Sequence, residues 1–151
     1  MDEILSLLQD FDIANLLPEP DKFLGSLEST ARLVVLAGPL VMLVLGLWYY
    51  FMPPKEANHS VGFRTYWGMG SVQAWRFAQK LAGMGYTALG GALTIIMAVV
   101  SIFFNGEKAL AMINTALVCV IIELVLVLIL WIGINVLVYR AFDKDGNLRR
   151  K

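Results

Sequence analysis

Residues 33–52 read LVVLAGPLVMLVLGLWYYFM, twenty consecutive residues without a charge. As a helix they rise about 30 Å, which matches the hydrocarbon thickness of a bilayer. The stretch ends in Trp48, Tyr49 and Tyr50, aromatic residues suited to the headgroup level, and then in Pro53-Pro54, which stops a helix. Gly38-Pro39 is expected to kink its outer end. The segment reads as a membrane span.

Two further runs repeat the pattern. Residues 84–104, MGYTALGGALTIIMAVVSIFF, carry no charge and are closed by the turn residues Asn105-Gly106. Residues 109–138 hold a single charge, Glu123, and exceed what a bilayer needs, so this helix is expected to tilt or project. Soluble core helices could explain one such run, but three leave little polar sequence to cover them. The chain has 151 residues, of which 58% are apolar and 16% charged, against about 45–50% and about 25% in soluble domains. Mean hydropathy is +0.69. Only helices or closed barrels satisfy their backbone groups in lipid, and period-2 alternation is absent. The expected fold is an all-α membrane protein, a bundle of three transmembrane helices with an N-terminal amphipathic helix.

Lys and Arg set the threading. Residues 53–83 and the tail after residue 138 together hold nine basic residues, and the other two segments hold three. The positive-inside rule then places that loop and the C-terminus in the cytoplasm and the N-terminus outside. The expected organisation is an acidic extracytoplasmic segment (1–32), a membrane domain (33–138) with spans near 33–52, 84–104 and 112–138, and a basic tail (139–151). Formal net charge is zero, so nothing global favours nucleic acid. The opening MDEILSLLQD begins with acids where a signal peptide would carry cations, and no cleavage is expected.

In the acidic segment Ile4, Leu7, Leu8 and Phe11 draw one apolar stripe on a short helix. Two readings stand: an interfacial anchor, or an outward-facing helix that meets an extracellular peptide. Its acids make it unlike the basic helices that seek anionic lipid.

The loop between the first two spans is the most distinctive stretch. It contains Pro53-Pro54, Gly62-Phe63-Arg64-Thr65, a GMGS segment ending at Ser71, and Gln73-Ala74-Trp75-Arg76-Phe77-Ala78-Gln79-Lys80. Ser71 is placed to cap a helix that runs into the second span. On it Trp75, Ala78 and Ala82 share one face and Arg76 and Lys80 another. A basic face beside a Trp suits the surface of a bilayer with anionic headgroups. Arg64 has two readings: its planar fork grips a lipid phosphate or a partner's carboxylate, with Gly62 letting the backbone approach, or it pins the loop by bonding backbone carbonyls.

These residues in this order resemble the SdpI family of bacterial membrane proteins, whose shared domain has a Pro-Pro exit from one span, a G-x-R-T element and a Trp-containing segment leading into the next. The resemblance covers roughly residues 40–104 and extends more weakly into the third span. It implies a non-enzymatic protein of the bacterial plasma membrane that gives immunity to an antimicrobial peptide. Some members also signal by holding a transcriptional repressor at the membrane. The sequence departs from longer members, which carry further spans and an extra domain before the shared one, and this bears on the expected signalling more than on membership.

Glu123 lies near mid-membrane, where an acid costs roughly 2.5–3.5 kcal/mol on insertion scales, so it is expected to face the bundle, protonated or hydrogen-bonded. Thr94 lies at similar depth, and a Glu123–Thr94 hydrogen bond is expected. Gly83, Thr87, Gly91, Thr94, Ala98 and Ser101 form a small-residue seam against Ala116, Cys119 and Glu123 of the third span. Helix packing is one reading of this seam. A transport path with Glu123 as a proton or ligand site, in a small transporter or channel-like subunit, is the other. Arg64, Arg76 and Lys80 on lipid phosphates would instead suit a membrane assembly factor. A three-helix bundle is thin enough that a homo-oligomer is compatible with it.

Other signals are set aside. Asp143-Lys144-Asp145-Gly146-Asn147 lacks the spacing and the closing Glu of a calcium loop and reads as a polar turn. Asn58-His59-Ser60 fits a glycosylation pattern on the expected cytoplasmic side. His59 is the only histidine and Cys119 the only cysteine, so no metal site, disulfide or catalytic triad is expected within one chain. No cofactor motif is present.

Overall fold

A computed structural model describes residues 20–57 and 60–149. Three long helices dominate it: α1 (Pro20–Phe51), α2 (Val72–Ile102) and α3 (Ala109–Ala141). Each is long and apolar enough to cross a membrane. Among the described residues there is no strand, only an isolated antiparallel bridge between Phe142 and Leu148. The expected stripe at Ile4, Leu7, Leu8 and Phe11, and the Asn58-His59 pair, lie outside the described residues.

The helices extend beyond the uncharged runs. Polar residues 20–32 continue α1 without a break at residue 32, because Ser, Glu, Lys and Arg are acceptable helix residues wherever water is available. The helix also continues through Pro39, which is fully buried. At the start of α2, Ser71 adopts an extended backbone and its hydroxyl oxygen accepts from the Ala74 N–H at 3.1 Å, the N-cap expected from sequence.

The small-residue seam forms with a different partner from the one expected. Added Cβ atoms at Gly83 and Gly90 of α2 would come within 2.7 and 2.6 Å of the backbone nitrogens of Tyr50 and Leu43 on α1. Gly46 of α1 lies against the Thr87 backbone. The close approach is therefore between α1 and α2. Gly91 meets only the tip of Leu43, and Ala98 is exposed. A period of three and four names a face but not the helix that faces it, and the register shifts by one residue, from Gly91 to Gly90.

On α3, Met112, Ala116, Cys119 and Glu123 recur at spacings of four, three and four and are all buried. Met112, Ala116 and Cys119 join a core with Ala31, Val35 and Met42 of α1 and Leu93 and Met97 of α2. Ile134 and Val138 join a second core with Ala74, Ala78 and Ala82 of α2, while the opposite side of α3 exposes large apolar residues such as Leu110, Leu117, Leu124 and Ile129, as a helix bordered by lipid should.

The two ends of the bundle close differently. At one end Glu28 pairs with Arg32, accepts from the Gly106 N–H at 3.2 Å, and Arg32 donates to the Phe104 carbonyl at 3.4 Å. One turn of α1 thus ties down the short α2–α3 connection. At the other end the α1–α2 loop and the C-terminal tail fold together into a cap.

Candidate functional site: the folded cap and the groove below it

The cap is built on the first three turns of α2. Trp75, Ala78 and Ala82 are fully buried, and Arg76 and Lys80 are exposed on the other face, as the sequence implies. Trp75, however, is buried within the protein rather than presented on its surface. Its indole Nε1–H donates to the Pro54 carbonyl at 2.8 Å, which holds the chain leaving α1 against α2. Gly62 packs against the Trp75 ring with φ +114°, where an added Cβ would lie 2.7 Å from Cζ2. Only glycine meets both requirements without strain.

One turn further on, Gln79 is fully buried and pairs with the backbone of Phe63 in both directions. The Phe63 N–H donates to Oε1 at 2.8 Å and Nε2–H donates to the Phe63 carbonyl at 2.7 Å. A loop passing over a helix here leaves two backbone groups without secondary-structure partners, and one amide side chain satisfies both. Thr65 is buried beside it and its hydroxyl oxygen accepts from the Gly68 N–H at 2.8 Å, starting the short 3-10 turn Trp67–Met69.

The tail locks onto this loop. The Ser71 hydroxyl donates to the Gly146 carbonyl at 2.7 Å, and Gly146 sits at φ +75° against Gly70 and Ser71. Asp143 makes the polar turn, accepting from the N–H groups of Asp145 and Asn147 at 3.0 and 2.8 Å. Those bonds, the Asn147 amide first, hold its carboxyl below the ordinary carboxylate range. Arg149 donates to the Phe142 carbonyl at 2.9 Å and stacks over the Tyr139 ring, which also meets Trp67.

Arg64 is exposed and makes no hydrogen bond or ion pair among the described residues, so Gln79, not Arg64, pins the loop. Arg76 and Lys80 are also unpaired there; with Lys55 they border a concave surface whose other walls include Tyr50, Phe51 and Pro54. Arg64 instead overhangs a cavity of about 390 Å³ between α1 and α3, lined by Tyr49, Gly62, Tyr86 and Trp131.

Glu123 faces the bundle, as expected, but the Thr94 bond is not made. The Thr94 hydroxyl donates to the Gly90 carbonyl one turn earlier on its own helix, at 2.7 Å. A helical Thr satisfies itself locally in this way, and equal depth does not ensure facing direction. Glu123 turns instead to α1, where its Oε2 would lie 2.9 Å from a Cβ added at Gly38, and its buried Oε1 has no partner among the described residues. Thr87, against Gly46, likewise has a buried hydroxyl oxygen without a partner.

Gln79, the Glu28–Arg32 pair and the docked tail did not stand out in the sequence. Gln79 carries one usable signal: it lies four residues after Trp75 and one after Ala78, on the apolar side of the helix, where a polar residue needs a partner. Among the described residues, no group of His, Cys, Asp and Glu is arranged to hold a metal.

The three apolar helices and the folded cap define a multi-pass membrane protein with a hydrogen-bonded cap at one end of the bundle. Residues 55–138 match the SdpI/YfhL protein family, and the chain belongs to that family. The match takes in the cap loop, α2 and nearly all of α3. No curated protein and no solved structure matches the chain.

Proposed function

We propose that the chain gives immunity or tolerance toward an antimicrobial peptide in the bacterial plasma membrane, as a non-enzymatic protein with its cap in the cytoplasm and its N-terminus outside. The single observation behind this reading is the family match, which covers the cap loop and the two helices after it. The distribution of Lys and Arg supports the threading. Protection acts through direct peptide binding or through altered peptide access to the bilayer, and a signalling role would use the cap as its cytoplasmic face. The test is expression in a peptide-sensitive cell, challenged with membrane-active peptides and scored for survival. Survival above the empty-vector level is the expected result; unchanged killing with the protein present in the membrane contradicts it.

A second reading, a small transporter or channel-like subunit, is favoured by one observation, the buried unpartnered oxygen of Glu123. Glu123→Gln separates the two. It leaves protection intact under the first reading and abolishes function under the second.

A further inference from the structure

The cavity under Arg64 does not end at its own walls. A second cavity, of about 180 Å³, shares Gly38, Met42 and Val127 with it and reaches Glu123. Together they line the α1–α3 interface from Tyr49 and Trp131 to Glu123, and the smaller one reaches Val34 and Val120 beyond it. Tyr49 and Gly38 are eleven residues apart on α1, so the larger cavity, under Arg64, runs about 16 Å along the helix axis. One leaflet of hydrocarbon is about 15 Å deep. Val41, Leu45 and Trp131 on its walls are exposed, which leaves it open on the side that lipid occupies.

From these features we infer that the groove holds one acyl chain of an anionic phospholipid, from the leaflet on the cap side, with its phosphate on Arg64. Three features select this occupant. Arg64, on the wall of the larger cavity, is exposed and unpaired among the described residues, and its guanidinium fork matches a phosphate bidentately. The larger cavity, at about 390 Å³, is narrow beside a helix about 10 Å across and suits a slimmer alkyl chain. A single chain fits along the apolar walls formed by Val41, Met42, Leu45 and Val127. Lipid occupancy does not depend on peptide tolerance.

The test is native mass spectrometry of the full chain released from detergent with added phosphatidylglycerol. One retained lipid per chain is expected. Arg64→Ala and the groove-filling Leu45→Trp, at an exposed position, each weaken retention about tenfold, and Lys55→Ala/Arg76→Ala/Lys80→Ala changes it less than about twofold. Retention that survives both single variants overturns the inference. Loss that follows the triple variant instead, through general surface charge, also overturns it. So does full competition by water-soluble glycerol phosphate, which has no chain, or a Leu45→Cys variant that crosslinks to itself and places a second copy over the groove.

Discussion

The side-chain amide of Gln79 and the backbone of Phe63 exchange two hydrogen bonds, at 2.8 and 2.7 Å, inside a fully buried site. This pair decides where the cap loop lies, because the segment has neither helix nor sheet to satisfy it. It also places Gly62 against Trp75 and sets Arg64 on the wall of the groove.

Gln79→Leu keeps the volume and strands both backbone groups of Phe63. Each unsatisfied buried group costs about 1–3 kcal/mol, so the variant is expected to lose about 2–6 kcal/mol of cap stability. Limited proteolysis between residues 55 and 71 reads this directly: faster cleavage is expected, and wild-type resistance contradicts the role given to Gln79.

Gly90 and Gly91 are neighbours with different surroundings, and they separate the α1–α2 seam from the α2–α3 seam. Gly90→Ala drives a methyl into the Leu43 backbone and is expected to cost about 1–3 kcal/mol. Gly91→Ala reaches only a flexible side-chain tip at 3.8 Å and is expected to be nearly silent. Thermal unfolding in detergent compares the two. Equal effects, or a larger one at Gly91, would return the seam to α3.

Asp143 gives the tail a pH dependence whose sign follows from its hydrogen bonds. Its carboxyl is held below the ordinary range chiefly by the Asn147 amide, so the charged form is the one the turn favours. The contribution is fully present above the ordinary carboxylate value and is lost as pH falls through the lowered one. Hydrogen exchange at Asp145 and Asn147 is expected to accelerate on acidification through that window, relative to the intrinsic exchange rate. Asp143→Ala is expected to show fast exchange already at neutral pH. Protection that persists in Asp143→Ala would rule out the carboxylate as the organiser of the turn.

The bundle was legible because its signals are one-dimensional. Uncharged length marks the helices, Ser71 marks a start, and the alternation of Trp75 and Ala78 with Arg76 and Lys80 marks the faces of α2. What depends on rotation about a helix axis was not legible. Thr94 and Glu123 match in depth but not in direction, and Thr94 has a carbonyl of its own helix within reach. Gly83 and Thr87 lie on a close-packed face, yet only three dimensions reveal that the face meets α1. The union of tail and loop through Ser71 and Gly146 spans 75 residues, and neither residue advertises the other.

That union requires residues 55–80 and the tail to lie on one side of the membrane, with the α2–α3 turn on the other. In a Cys119→Ser background, single cysteines at Lys55, Lys108 and Lys144 can be labelled with a membrane-impermeant maleimide in intact cells. The account predicts that only the Lys108 position reacts before permeabilisation, and that the Lys55 and Lys144 positions react together after it. Labelling of the Lys55 and Lys144 positions from opposite sides would contradict the folded cap and the three-span bundle beneath it.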